Sequence, residues 1–128
     1  MQQKNNPLAP HLQIYRWQIS SLLSITHRII GVVNIIAITL ICLWSISLLF
    51  GEVNYKFAKI FFQSFVGKFF IVSLCWTFSF HILNEIRHLA WDLGYGFDLK
   101  VSNITGILAI LGSFILTILI YSLGRSIL

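Results

Sequence analysis

Charge is the scarcest commodity in this chain. Only 10% of its 128 residues are charged, and the acids number four against nine Lys and Arg. Hydrophobic residues make up 57%, and mean hydropathy is +0.84. A water-soluble domain of this size cannot cover its surface with so few polar groups. Cysteine is scarce too. Cys42 and Cys75 both lie in apolar runs, with no CxxC pair, which argues against a disulfide framework or a zinc site. There are only two prolines, Pro7 and Pro10, so nothing after residue 10 interrupts a helix by that route. Internal repeats and low-complexity tracts are absent. The net charge of +5 does not point to nucleic acid, because the cations are scattered and flank the apolar runs. That placement suits anchoring at lipid headgroups.

What is present is a set of long uncharged runs. Residues 29–50, 69–84 and 101–124 contain no Asp, Glu, Lys or Arg. A bilayer core of about 30 Å needs about 20 apolar residues. The expected architecture is therefore all-α: an integral membrane protein of one domain, with transmembrane helices at about 22–50, 65–91 and 101–125. The middle run is short and must borrow its flanks. Residues 1–19 read as a polar arm without the apolar core of a signal peptide. Its segment 12–19 suits the membrane surface, with Tyr15 and Trp17 as interface anchors. Residues 51–68 read as a loop with an aromatic segment at the interface, and Gly94 and Gly96 mark a turn. Three spans lack the inverted repeats and broken helices of transporters.

Polar residues cluster at two places within this oily background. On a helix, His81, Glu85, His88 and Asp92 recur at i, i+4, i+7 and i+11, and Ser24, His27, Arg28 and Gly31 at i, i+3, i+4 and i+7. Each set forms one stripe. Ionisable residues in a span are expensive and mark functional sites by default. Three alternating spans put the start of the first helix and the end of the second on one side of the membrane. Ser24, His27 and Arg28 then share a level with His88 and Asp92, and His81 lies two turns, about 10 Å, deeper. Five cations on the N-terminal side against four on the other favour an inside N-terminus by a narrow margin.

A buried neutral imidazole needs a hydrogen-bond partner or a metal. His81 is therefore either bonded to a neighbouring helix or the ligand of a haem b, whose propionates would meet His27, Arg28, Arg87 and His88 at the polar edge. His81 and His88 share a face and cannot both ligate one iron. A six-coordinate haem would take its second ligand from another polypeptide. No CxxCH is present for covalent attachment. Glu85 is expected to rotate outward, to pair with Arg87 or Arg28, or to stay protonated. Asp92 suits a proton relay or a salt bridge to one of those arginines.

Three blocks, PLAPHLQIYRW (7–17), SITHRIIG (24–31) and HILNEIRHLAWDLG (81–94), stand in this order. Together they resemble the cytochrome b membrane-anchor subunit of succinate dehydrogenase, respiratory complex II. The resemblance covers nearly the whole chain. It implies half of a heterodimeric anchor, with a second membrane-anchor subunit giving the other haem ligand. It also implies an iron–sulfur subunit and a flavoprotein subunit, carrying the iron–sulfur clusters and FAD, docked on the N-terminal face. By motif match, His81 is the haem axial ligand, Ser24 and Arg28 are ubiquinone-binding, and His27, Arg28 and His88 edge the site near the propionates. The implied location is the bacterial cytoplasmic membrane or the mitochondrial inner membrane, with the N-terminus on the cytoplasmic or matrix side. The implied activity is passing electrons from succinate oxidation to quinone. A fumarate reductase anchor uses the same parts in reverse, and a purely structural anchor would need none of the polar stripes. The chain departs from the family pattern at Ala9, where a serine is common, and at Glu85, where a glycine is usual.

Overall fold

The computed structural model describes residues 16–127. The expected arm through residue 15, including half of the surface segment 12–19 and the anchor Tyr15, lies outside them. Four helices follow: α1 (Ile19–Ser47), extended by a 3-10 turn at Leu48–Phe50, then α2 (Glu52–Gln63), α3 (Phe65–Asp92) and α4 (Leu99–Ile127). No strand occurs among the described residues. Three helices are long and apolar enough to cross a membrane: Ile19–Phe50, Phe65–Asp92 and Leu99–Ser126. At 1.5 Å per residue, even the 28-residue α3 reaches about 42 Å, beyond the hydrocarbon thickness. Helix α3 is central and packs on the other three.

The stretch 51–68 corrects the sequence expectation. Most of it is the helix α2 rather than a loop. Glu52 sits in the first turn, where the helix dipole favours an acid, and lies 3.7 Å from Lys56 one turn on. A sharp corner follows. Ser64 is extended, and its hydroxyl accepts the Gly67 N–H at 3.1 Å, capping α3. A Cβ on Gly67 would overlap the Phe61 carbonyl oxygen, so the corner requires glycine there. Trp44 meets Phe62 edge-on at 4.9 Å and ties α2 back to α1.

The interior is small. Leu23, Ile30 and Phe80 form it, flanked by Trp76 and Ile110. Most large apolar side chains point outward, Ile35 and Ile118 among them. In lipid this costs nothing, and helix association rests on close packing and interhelical hydrogen bonds. Both are visible. Ala109 and Ser113 of α4 are buried, and a Cβ on Gly112 would lie 3.2 Å from Leu83 Cδ1. Asn34 is buried and donates to the Thr77 carbonyl at 3.4 Å, linking α1 to α3.

Arg87 is the strongest α3–α4 link. Its Nη2 donates to the Ser102 carbonyl at 2.8 Å and to the Ser102 hydroxyl at 2.9 Å, and its Nε donates to Thr105 Oγ1 at 3.2 Å. The guanidinium lies 4.2 Å from the Trp91 ring centroid. Sequence reasoning had grouped Arg87 with the propionate-side cations. At roughly 100° per residue it lies about 120° around α3 from His81, on the face that α4 covers. Arg87→Ala is expected to destabilise the bundle by roughly 1.5–3 kcal/mol, the value of a hydrogen bond to a charged group, in detergent unfolding of the complex. A variant with unchanged stability would contradict this role.

Candidate functional site

The site forms where α1 begins, α3 ends and α4 begins. On α1 the bundle-facing positions are Leu23, Ile30, Asn34 and Ala37. His27 lies at the edge of that face and is half-buried. Ser24 and Gly31 are half-buried further round, and Arg28 is exposed. On α3 the buried positions Phe80, Asn84 and Arg87 define the inward face. His81 and His88 are half-buried at its margin, while Glu85 and Asp92 are exposed. Each stripe therefore runs along a border: part of it meets the neighbouring helix and part looks out of the bundle.

The two stripes meet through His27. Its ring stacks on His81 with centroids 4.4 Å apart and planes 15° apart. It also lies 5.2 Å from the His88 ring. Sequence reasoning put His27 level with His88 and left His81 alone two turns deeper. The structure instead sets His27 between the two, because α1 and α3 cross closely here. Gly31 lies beside the pair: a Cβ on it would stand 3.4 Å from His81 Cε1, in ordinary van der Waals contact.

Glu85 closes the cluster. Its Oε1 lies 3.1 Å from His27 Nε2, an ion-pair distance without hydrogen-bond alignment. The same oxygen lies 3.8 Å from His81 Nε2. Of the alternatives expected for Glu85, the pairing with Arg87 or Arg28 does not form, while the side chain is exposed. Arg87 is held by α4, and Arg28 makes no ion pair among the described residues. His27, His81 and Glu85 bring their ligand atoms within 4.8 Å of one another, a donor set of the kind that holds a metal. The relation to His27 was the piece sequence reasoning missed. The i,i+4 spacing of His81 and Glu85 was the available signal, but the rotation of α1 was not legible.

Unpartnered polar atoms gather at the same level. His81 Nδ1 and both amide atoms of Asn84 are buried and find no hydrogen-bond partner among the described residues. Asn84 is fully buried, and sequence reasoning had not singled it out. Ser24 is unlike the typical serine of a span. Thr39, Ser45, Ser73, Ser79 and Thr117 each donate back to the carbonyl four residues earlier. Ser24 makes no such bond among the described residues. Asp92 makes no ion pair there either, so neither expected salt bridge forms. His88 meets Trp91 edge-on at 5.1 Å.

Residues 2–120 match the family described as succinate dehydrogenase/fumarate reductase transmembrane subunit. The chain belongs to this family. It is similar to the succinate dehydrogenase cytochrome b556 subunit of Rickettsia felis, 39% identical over 115 residues, covering 90% of each chain. The cytochrome b556 subunit of Paracoccus denitrificans is 31% identical over 115 residues, covering 90% of this chain and 88% of its own. The cytochrome b560 subunit of Marchantia polymorpha is 36% identical over 112 residues, covering 81% and 80%. In these family terms the chain is a multi-pass transmembrane subunit of a larger complex. Its polar cluster lies in the half of the bundle that holds the start of α1 and the end of α3.

Proposed function

We propose that this chain anchors a succinate:quinone oxidoreductase in the membrane, helps to hold a haem b, and forms part of the site where ubiquinone is reduced. One observation carries the reading: an apolar bundle brings His27, His81, Glu85 and His88 together at one membrane edge, beside an exposed Arg28 and a half-buried Ser24.

The donor chemistry fits a haem. His81 is an imidazole at the margin of the bundle, half-buried, and its Nε2 stands 3.8 Å from Glu85 Oε1, beyond hydrogen-bond distance. The ring faces outward enough for a group shared with a second anchor subunit, which would supply the other ligand. His27, Arg28 and His88 would lie toward the propionates. When bound, the haem supplies reversible one-electron storage. Glu85 is half-exposed and free to turn away from His81 Nε2 when that atom is engaged. Glu85→Gly is therefore expected to keep or raise haem content, as measured by pyridine haemochrome in the assembled complex. Lost assembly would instead give Glu85 a positive structural role.

Quinone reduction takes up two electrons and two protons. Ser24 is placed to donate a hydrogen bond to one quinone carbonyl, its hydroxyl being uncommitted to its own helix. Arg28 stabilises the negative oxygen that develops. Asp92, exposed near the membrane surface, suits the delivery of protons. The chain has no flavin or iron–sulfur motif, so electrons reach the site from an iron–sulfur subunit, itself fed by a flavoprotein subunit on the N-terminal face. The membrane is the bacterial cytoplasmic or the mitochondrial inner membrane, with the N-terminus on the cytoplasmic or matrix side. Affinity purification through this chain in mild detergent tests the assembly. Mass spectrometry is expected to find a second small membrane subunit, an iron–sulfur protein and a flavoprotein. Recovery of this chain without redox subunits would overturn the reading.

A further inference from the structure

The opposite end of the bundle carries a second polar feature that the redox reading does not use. Helix α3 starts there and α4 ends there. Between them lies a cleft of about 710 Å³, lined by Gln63, Lys68, Cys75, Ile120, Tyr121 and Arg125 among others. Its mouth is polar and cationic. Lys68 stands in the first turn of α3 and Arg125 in the last turn of α4. Its floor is apolar, with Ile71, Cys75 and Ile120. Cys75 lies seven residues past Lys68, so the floor reaches about 10 Å below the cationic mouth.

The charge balance at this end is one-sided. Lys56, Lys59, Lys68 and Arg125 are opposed by a single acidic side chain, Glu52, which lies 3.7 Å from Lys56. Neither Lys68 nor Arg125 makes an ion pair among the described residues. The cleft therefore offers uncompensated cations at headgroup level above an apolar trough at acyl-chain depth. That combination matches an amphiphile with an anionic head. A free phosphate would satisfy the mouth and leave the trough without a partner. A zwitterionic lipid would bring its own cation to a site that already has a surplus.

We propose that this cleft is a binding site for an anionic phospholipid, its phosphate held by Lys68 and Arg125 and one acyl chain lying along Ile71, Cys75 and Ile120. Tyr121 and Gln63 supply neutral hydrogen-bonding groups at the rim. The site is independent of the haem and quinone cluster, since it lies at the other end of α3.

The test uses the intact complex. Purified wild type and the double variant Lys68→Gln/Arg125→Gln are stripped of loose lipid, and the lipid retained per complex is measured by mass spectrometry. Wild type is expected to retain anionic phospholipid. Each lost cation weakens retention about fivefold, and both together ~30-fold. Lys68→Arg and Arg125→Lys should retain it. In a second arm, each complex is incorporated into vesicles of phosphatidylglycerol or of phosphatidylcholine, and thermal unfolding is compared. Only wild type and the conservative variants should gain stability from phosphatidylglycerol, inorganic phosphate should give none of it, and haem absorbance should be alike in all. Equal anionic lipid retention in wild type and the double variant would overturn the proposal. So would stabilisation by inorganic phosphate alone, or cross-linking of Cys75 to another subunit, which would show the trough filled by protein.

Discussion

His81→Ala is expected to abolish the low-spin b-type absorbance of the assembled complex almost completely. The substitution removes the histidine that, among the described residues, combines the needed features. Its ring sits half-buried at the bundle margin, and its Nε2 makes no hydrogen bond among the described residues, standing 3.8 Å from Glu85 Oε1. His27 stacks on that ring rather than facing it across a gap, so the two cannot stand on opposite sides of one porphyrin in the arrangement seen. His88 lies one ring further along and packs edge-on against Trp91. His88→Ala is therefore expected to shift the spectrum without removing it. Subunit content must be normal in both variants for the comparison to hold. An unchanged spectrum in a correctly assembled His81→Ala complex would remove His81 from the ligand set.

Arg28→Leu and Ser24→Ala are expected to impair succinate–quinone turnover while sparing succinate oxidation by an artificial acceptor that draws electrons upstream of the quinone. A hydrogen bond to a charged group contributes roughly 1.5–3 kcal/mol, so losing one lowers turnover by about 10- to 150-fold. Arg28 should approach the upper figure, because it faces a developing charge. Ser24 should lie near the lower one, because it meets a neutral carbonyl first. Two alternatives for these residues make a different forecast. If Arg28 only anchors headgroups, its loss should leave both activities intact. If either residue serves docking of the soluble subunits, both activities should fall together.

The large features of the fold were legible because they depend on composition. Uncharged runs of 22 and 24 residues have little alternative to spanning a membrane. The histidine stripes were legible because helical spacing is local. What failed depended on rotation or on neighbours. The segment containing α2 alternates lysines with phenylalanines and follows Gly51, which reads as a loop. Its helical state is supported by the contact of Phe62 with Trp44 and by the corner at Gly67, both non-local. Arg87 and Glu85 are two residues apart, so they point to widely different sides of α3, one onto α4 and one toward α1. Treating them as one charged patch lost that distinction. The partner of Glu85 was illegible for a related reason. Only the crossing of α1 and α3 decides that His27, rather than an arginine, stands beside it.

The most direct test of the account is a reduced-minus-oxidised absorbance spectrum of the complex purified through this chain, paired with a haem-to-subunit ratio. One b-type haem per copy of this chain is expected, low-spin, with His81 as one of its ligands. An intact complex that reduces quinone normally but contains no haem would contradict it.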